Sequence, residues 1–507
     1  MNKIGFINFR RFINFEPIEY HGITFLVGRN NAGKSTLVKA ILLINDFFKS
    51  GNVTNFSFGS KILEDANIVT YGRAKNRKAT EDYIKFTCQV DNYNFDIVIS
   101  GDDDKTIASV QSLQITDNEN KIQFQLDPQE TNITISKLRS IGEVENSNEG
   151  TISTLNAEIF SLKEQIEKSE LKKSSKEYIV LVEEVKSIEK KRNSLRESKK
   201  AGPIYSYTTH FHKDWGLKEI VEFALIEAKF FHDKKFKEIQ GGKKPTRDFE
   251  NLRGIKEESS IVEDSFNIFY ESVKLSGVYY LGANPAKQSA LFSIRDRNNA
   301  LSQSIHDFYQ LKITPGELAY EFVKKWMKLY EVGDSFKILI HAGEAYEFKV
   351  ASNNTEIHLA DKGMGSIQAM LLILRLASII HKTMNVSHRT TVVIEEPELN
   401  LHPALQSKLA DLFLEVNQNF KLDFIIETHS EYILRRSQVI VAIKEFEVAQ
   451  NENPFCVHYF PKDIQQMPYK LEYQEDGSFN RNFGDGFFDE ASSSTLELLK
   501  LKRQKKA

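Results

Sequence analysis

Cysteine is almost absent from this chain, with only Cys88 and Cys456 in 507 residues. Two cysteines make neither a disulfide framework nor a zinc-ligand spacing with His402, His429 or His458, so a reducing cytoplasm is the expected compartment. The opening Met1-Asn-Lys-Ile-Gly-Phe6 lacks the apolar core of a secretory signal, and no apolar stretch reaches the roughly 18 residues of a membrane span. No membrane partner is expected. Neither charge sign is in large excess, since 67 Lys and Arg stand against 70 Asp and Glu for a net −3. Any contact with DNA or RNA must therefore come from a local patch. What the chain does have is 41% hydrophobic residues, enough for a large core, at a length that suggests two to four structural units.

The most informative segment is Gly28-Arg-Asn-Asn-Ala-Gly-Lys-Ser-Thr36, which reads G-x-x-x-x-G-K-[ST]. It follows the apolar run Gly22-Ile-Thr-Phe-Leu-Val27 and precedes the helical pattern Leu37–Ile44, so a strand, a glycine turn and a helix N-terminus are expected in that order. In such a loop Gly28, Asn30, Asn31, Ala32, Gly33 and Thr36 line a phosphate cradle, Lys34 reaches the β- and γ-phosphates, and the Ser35 hydroxyl takes a Mg2+ position. ATP and Mg2+ are the expected ligands. A second segment, Thr391-Val-Val-Ile-Glu-Glu-Pro-Glu398, is a buried-strand pattern ending in acids. There Glu395 would hold Mg2+, and Glu396 would orient and polarise the attacking water.

With these motifs the chain resembles a known family. Glu395-Glu-Pro-Glu-Leu-Asn-Leu-His-Pro403 resembles the extended Walker B and D-loop of ABC-type ATPases of the Rad50, RecF and SMC-like class. Ile425-Ile-Glu-Thr-His-Ser430 is similar to their switch strand, with His429 as the γ-phosphate sensor. Asp361-Lys-Gly-Met-Gly-Ser-Ile-Gln368 is similar to a degenerate ABC signature, in which Gly363, Gly365 and Ser366 would meet the ATP of an opposing subunit; read from the residues alone, it is equally a glycine-bearing helix cap. The tail Gly484-Asp-Gly-Phe-Phe-Asp-Glu490 resembles the end of a prokaryotic anti-phage defence branch, Septu-like or related. Glu395 stands where the family has aspartate, and no Q-loop glutamine is assignable.

The resemblance implies an α/β fold: a P-loop ABC-type ATPase head with a β-rich N-terminal lobe and a short coiled-coil or helical insertion. It also implies a homodimer, or higher homo-oligomer, joined through ATP-sandwiched heads. The expected divisions are residues 1–150 for the N-terminal lobe, 151–200 for a coiled-coil hairpin, 201–275 for a helical insertion and 276–507 for the C-terminal lobe. The strands of the first lobe come from alternation in Tyr83–Val90, Tyr93–Ile99 and Lys121–Leu126. The coil comes from Leu155, Ile159, Leu162 and Ile166, then Leu181, Val185, Ile188 and Leu195, at heptad-like spacing; an ordinary helical subdomain is the other reading. Gly277–Gly282 reads as a core strand returning to the sheet.

Two basic clusters are candidates for nucleic acid. Lys234, Lys235, Lys237, Lys243, Lys244 and Arg247 are interleaved with acids and read better as a solvated face, whereas Arg73, Lys75, Arg77 and Lys78 have fewer acidic neighbours. Nucleases related to the overcoming-lysogenisation-defect family append a Toprim domain after the switch strand, but the residues after Ser430 hold no strand-linked D-x-D pair, so no nuclease is expected within this chain. The expected function is an ATP-hydrolysing sensor or regulatory subunit of an anti-phage defence complex that controls a separate effector such as a nuclease. A DNA-repair or recombination ATPase that engages DNA ends, and an adaptor that binds ATP for assembly with little turnover, remain open beside it.

Overall fold

The computed structural model describes residues 2–139, 203–275, 277–283, 289–295, 299–352, 355–386, 388–444, 453–463 and 466–484, with isolated positions and short runs between 159 and 189 and at 497. The chain opens with β1 (Asn2–Phe9), β2 (Phe12–Tyr20), β3 (Ile23–Gly28), α1 (Lys34–Ser50), β4 (Asn55–Ser57), α2 (Lys61–Asp65), α3 (Tyr71–Ala74) and β5 (Ile84–Val90). Then come β6 (Tyr93–Ser100), β7 (Ile107–Asp117), β8 (Ile122–Asp127), β9 (Asn132–Lys137), β10 (Tyr205–His210) and the helices α4 (Leu217–Gln240), α5 (Arg247–Glu257) and α6 (Ser259–Leu275). The last part holds β11 (Val278–Leu281), β12 (Leu291–Ser293), α7 (Ala300–Gln310), α8 (Leu318–Leu329), β13 (Ser335–His341), β14 (Ala345–Ser352) and β15 (Thr355–His358). It continues through α9 (Met364–Thr383), β16 (Thr390–Glu395), α10 (Pro403–Phe420), β17 (Leu422–Glu427), α11 (Glu431–Lys444), β18 (Phe455–Phe460) and β19 (Tyr469–Leu471).

Two compact units result. The first comprises residues 1–91, 98–110 and 270–507, the second residues 92–97 and 111–269. The first is organised around a six-stranded sheet in the order β11-β16-β17-β3-β18-β19, parallel except for the β18–β19 pair. All six residues of β3 and all six of β18 are buried, so neither shows the apolar–polar alternation of a half-exposed strand. Ile23, Phe25 and Val27 on β3 join Val392, Ile394, Phe424, Ile426, Phe455 and Val457 in one core with residues of α7 to α11. In the same unit β1 pairs antiparallel with β2 and β5, and Phe6, Phe9, Phe12, Phe15 and Phe86 pack ring to ring there, Phe6 and Phe15 stacked at 4.4 Å. The return strand expected at Gly277–Gly282 is β11, parallel to β16.

In the second unit β8 pairs antiparallel with β7 and β9, and β9 with β10. Phe266 on α6 meets Phe124 edge-on, and the Ser265 hydroxyl donates to Asp117 at 2.7 Å. The Asp117 carboxyl is buried, yet bonds from Ser265, Asn120 and the Glu119 amide hold its pKa below the ordinary range. The divisions read from sequence differ here, because β10 pairs with β9 across the long intervening segment, and no run of adjacent residues signals a partner that far away. The described part of this division, from residue 203, therefore opens through β10 and only then turns helical. Of the hairpin expected at 151–200, the described positions Ile159, Leu162, Ile166, Leu181 and Val185–Glu189 are helical, Ile159 and Val185 are buried, and Lys163 pairs with Glu189 at 2.8 Å; the rest lies outside the described residues, as does the tail motif beyond Gly484.

One expectation is corrected. Helix α9 is 20 residues long with mean hydropathy 1.5 over its best window, so by length and composition it could cross a membrane. Gln368 and Arg375 bound its longest unbroken apolar run, Ala369–Leu374, which hid its length. Most of it is buried, with Met370, Ile373, Leu374, Leu376 and Ala377 in the shared core of the first unit.

Candidate functional site

The C-terminal ends of the parallel strands form the edge where open α/β sheets place ligands. Gly28 closes β3 there, Glu395 closes β16 and Glu427 closes β17, with Glu395 and Glu427 facing each other in register. The loop after β3 turns sharply through Asn31 at φ 60° and Gly33 at φ 106°. A Cβ on Gly33 would sit 2.5 Å from the Phe12 ring, so only glycine fits between β2 and the first turn of α1. Ala32 is buried and its N–H donates to the Arg29 carbonyl, while Thr36 is buried and its N–H donates to the Gly33 carbonyl. Asn30 and Asn31 are exposed at the tip.

Lys34, only 2% exposed, donates to the Gly28 and Arg29 carbonyls at 3.0 and 3.1 Å and lies 3.6 Å from the Glu427 carboxylate. Ser35 donates its hydroxyl proton to the other Glu427 oxygen at 2.8 Å. Burial lowers the Lys34 pKa, with Glu427 opposing the shift; burial likewise raises the Glu427 pKa, with Lys34 and Ser35 opposing it. The charge pair thus offsets part of the desolvation that each group carries.

The sequence reading gave Ser35 and Glu395 each a Mg2+ position; the acid that Ser35 touches directly is Glu427. Glu395 instead interacts with the Tyr280 hydroxyl and the Ala283 amide beside β11, and burial raises its pKa. Glu427 carried the same signal as Glu395, an acid closing an apolar run, inside the motif read for His429. Only the register of two sequence-distant strands makes it the contact of the loop.

Glu396 is half-buried at φ 49°, its N–H bonded to the Glu427 carbonyl at 2.8 Å, so the turn after β16 is tied to the end of β17. His429 lies just past β17, and its N–H donates to the buried Glu398 carboxylate at 2.7 Å. Burial, then the Lys34 charge, pushes the His429 imidazole down to about 4, which leaves it neutral at pH 7. Burial also raises the Glu398 carboxyl, against the His429 amide and the Thr428 hydroxyl. Glu398 is thus a second buried acid beside the site, the last of the acids in the Thr391–Glu398 segment.

The signature-like segment lies in the same unit. Gly363 caps α9, and Gly365 and Ser366 occupy its first turn, Ser366 donating its N–H to the Gly363 carbonyl at 2.9 Å. Gly363 is exposed with open space where a Cβ would point, whereas a Cβ on Gly365 would come within 2.9 Å of the Asn400 carbonyl. Three of the candidate basic residues are paired with acids, Lys75 with Asp82, Lys235 with Asp248 and Lys243 with Glu238, while Arg73 donates to the neutral Asn67 amide oxygen and Arg77 and Lys78 are exposed.

Residues 1–434 match the family model described as an AAA ATPase domain. Over 458 residues the chain is 23% identical to Endonuclease GajA of Bacillus cereus (strain HuB5-5), covering 85% of this chain and 56% of that protein, so the chain spans about half the length of the curated relative it matches. Similar solved structures include the Smc head domain with an extended coiled coil bound to the C-terminal domain of ScpA from Pyrococcus furiosus, at TM-score 0.36 and 11% identity over 99% of this chain and 100% of that one. Another is the Smc head domain with a coiled coil and joint from Pyrococcus yayanosii, at TM-score 0.34 and 11% identity over 94% and 98%.

Proposed function

The chain belongs to the AAA ATPase domain family, and from that premise we propose that it binds and hydrolyses ATP as the regulatory subunit of an anti-phage defence assembly, controlling a separate effector protein. The observation that carries this reading is the meeting at one sheet edge of the Gly28–Thr36 loop, Lys34 and Ser35 on α1, and Glu427 on β17, within a 3.6 Å network. In it the loop N–H groups and the N-terminus of α1 cradle the phosphates, and the Lys34 ammonium turns from the loop carbonyls toward the β- and γ-oxygens.

The donor set fits Mg2+. Ser35, Glu427 and Glu395 offer hard oxygen atoms, the donor type of an ion that takes most of its ligands from phosphate and water. Held there with the nucleotide, Mg2+ would supply charge neutralisation for the transferred phosphoryl group. Glu396 orients and polarises the attacking water, and neutral His429 offers a hydrogen bond to the γ-phosphate without adding a competing positive charge. Gly363, Gly365 and Ser366 meet the nucleotide of a second copy of the chain, so that hydrolysis and dimer opening are coupled.

The anti-phage role and the nuclease nature of the effector rest on the family resemblance of the motifs and on the endonuclease name of the 23%-identical relative. The test is steady-state hydrolysis with Mg·ATP together with calorimetry. Lys34→Ala is expected to abolish tight ATP binding. Glu396→Gln is expected to keep binding while slowing turnover by on the order of a hundredfold. A folded Lys34→Ala protein with unchanged affinity defeats the nucleotide-site assignment. Mass spectrometry of proteins retained by the tagged chain, drawn from its native operon, identifies the effector, and recovery of no companion protein defeats the regulatory reading.

A further inference from the structure

Two turns of the first unit are fastened together by side chains that the phosphate chemistry does not use. The turn after β16 runs from Glu395 to Pro403, closed by the Leu399 N–H to the Glu396 carbonyl at 3.2 Å and the Leu401 N–H to the Glu398 carbonyl at 3.0 Å. The end of the switch strand, Thr428 to Ser430, lies against it. Two contacts join them: the His429 N–H to Glu398 Oε1 at 2.7 Å, and the Ser430 hydroxyl to Gln406 Oε1 at 2.6 Å. Gln406 in turn donates its amide to the Leu401 carbonyl at 3.0 Å, which closes a ring back onto the turn. Glu398 is 9% exposed, and its second oxygen, Oε2, is buried without a hydrogen-bond partner.

A buried carboxyl that takes the His429 N–H on one oxygen beside the Thr428 hydroxyl, while its other oxygen has no hydrogen-bond partner, is a costly way to cap a strand. An amide or hydroxyl side chain would accept the same bond with less desolvation. The bond also falls on the N–H of His429, the residue read as the phosphate sensor. Moreover, the turn that Glu398 anchors carries Glu396 at one end and, at the other, Asn400, whose carbonyl is the close neighbour of Gly365 at the start of α9.

We infer that Glu398 is a positioning residue for ATP hydrolysis, clamping His429 to the Glu396 turn so that sensor, water-polarising acid and signature-like helix keep one geometry. The inference rests on the ATPase reading above. It assigns Glu398 no contact with nucleotide; its action is through the main chain of His429. Removing the acceptor lets the switch strand slip relative to Glu396, which misplaces a reacting group without removing a phosphate contact. Turnover should therefore fall while nucleotide affinity stays.

The test compares Glu398→Ala, Glu398→Asp and Glu398→Gln with the parent chain and Lys34→Ala. Asp keeps the charge but retracts the acceptor by a methylene; Gln keeps the reach and loses the charge. Expected are a kcat lowered about 10- to 100-fold in the Ala and Asp variants with KM for ATP within about threefold, and a Gln variant within about threefold of the parent. Hydrogen exchange of the peptide spanning Ile425–Tyr432 should be faster by on the order of tenfold in the Ala and Asp variants and near the parent rate in the Gln variant. If Glu398→Ala does not fold, the contrast of Asp with Gln decides. Parent-like kcat and exchange in Glu398→Asp, or a Gln variant as slow as Asp, overturns the inference. A parent whose turnover survives Lys34→Ala instead overturns the ATPase reading, and the exchange contrast then judges the clamp by itself.

Discussion

The Lys34–Glu427 pair makes a quantitative prediction. Lys34 is 2% exposed and Glu427 7%, at 3.6 Å, with Ser35 bonded to the second carboxylate oxygen. Replacing one partner leaves the other buried with less compensation: Glu427→Gln strands an ammonium on two loop carbonyls, a lesion that costs about 3–5 kcal/mol when a buried pair is broken from one side. Lys34→Met should cost less, because the raised pKa of Glu427 lets it take up a proton and neutralise itself. The double variant should cost about 1–3 kcal/mol less than the sum of the two singles. The chain has two tryptophans, and Trp326 lies buried in the first unit while Trp215 belongs to the second. In a Trp215→Phe background, tryptophan fluorescence during urea unfolding therefore reports the unit that holds the pair. A coupling below about 0.5 kcal/mol would refute the reasoning, since the two charges would then not be exchanging solvation for one another.

Gly33→Ala should block the loop, because a φ of 106° and a Cβ 2.5 Å from the Phe12 ring leave no room; a loss of about 1–3 kcal/mol in thermal unfolding is expected, and ATP binding should be lost with it. His458, 3% exposed on β18 with Nε2 against the Glu19 carbonyl at 2.6 Å, has its pKa pushed by burial from 6.5 to about 4. The unfolded chain binds the proton first, so this group's stability contribution is complete above pH 6.5 and falls by about 3 kcal/mol as pH drops to 4. His458→Gln should flatten that part of the pH–stability curve, and equal slopes in parent and variant would count against it. Ser366→Arg should leave the monomer and its ATP binding intact while blocking ATP-dependent dimerisation in sedimentation. Mixed with Lys34→Ala, it should regain part of its turnover, because one composite site then carries neither lesion; parent-like dimerisation and hydrolysis in Ser366→Arg alone would reduce Asp361–Gln368 to a helix cap.

Much of this protein is legible in local sequence, for physical reasons. The P-loop is contiguous: its glycines, lysine and serine must follow one another for a strand to turn into a helix over a phosphate, so nine residues carry the whole signal. Buried parallel strands are apolar throughout, which made β3, β16 and β17 readable, and half-exposed antiparallel strands alternate, which made β5, β6 and β8 readable. The acids at the ends of β16 and β17 were visible too. Register was not, because which segment neighbours which is settled by packing among parts of the chain that no local pattern links. That is why Glu427 rather than Glu395 meets Ser35, why β10 joins β9 from beyond the long middle segment, and why Glu398, which reads as one acid in a polar turn, is buried under the His429 amide. It also decides the fate of α9, whose apolar composition alone suits a bilayer and a core equally; the sheet and helices packed around it make it a core helix.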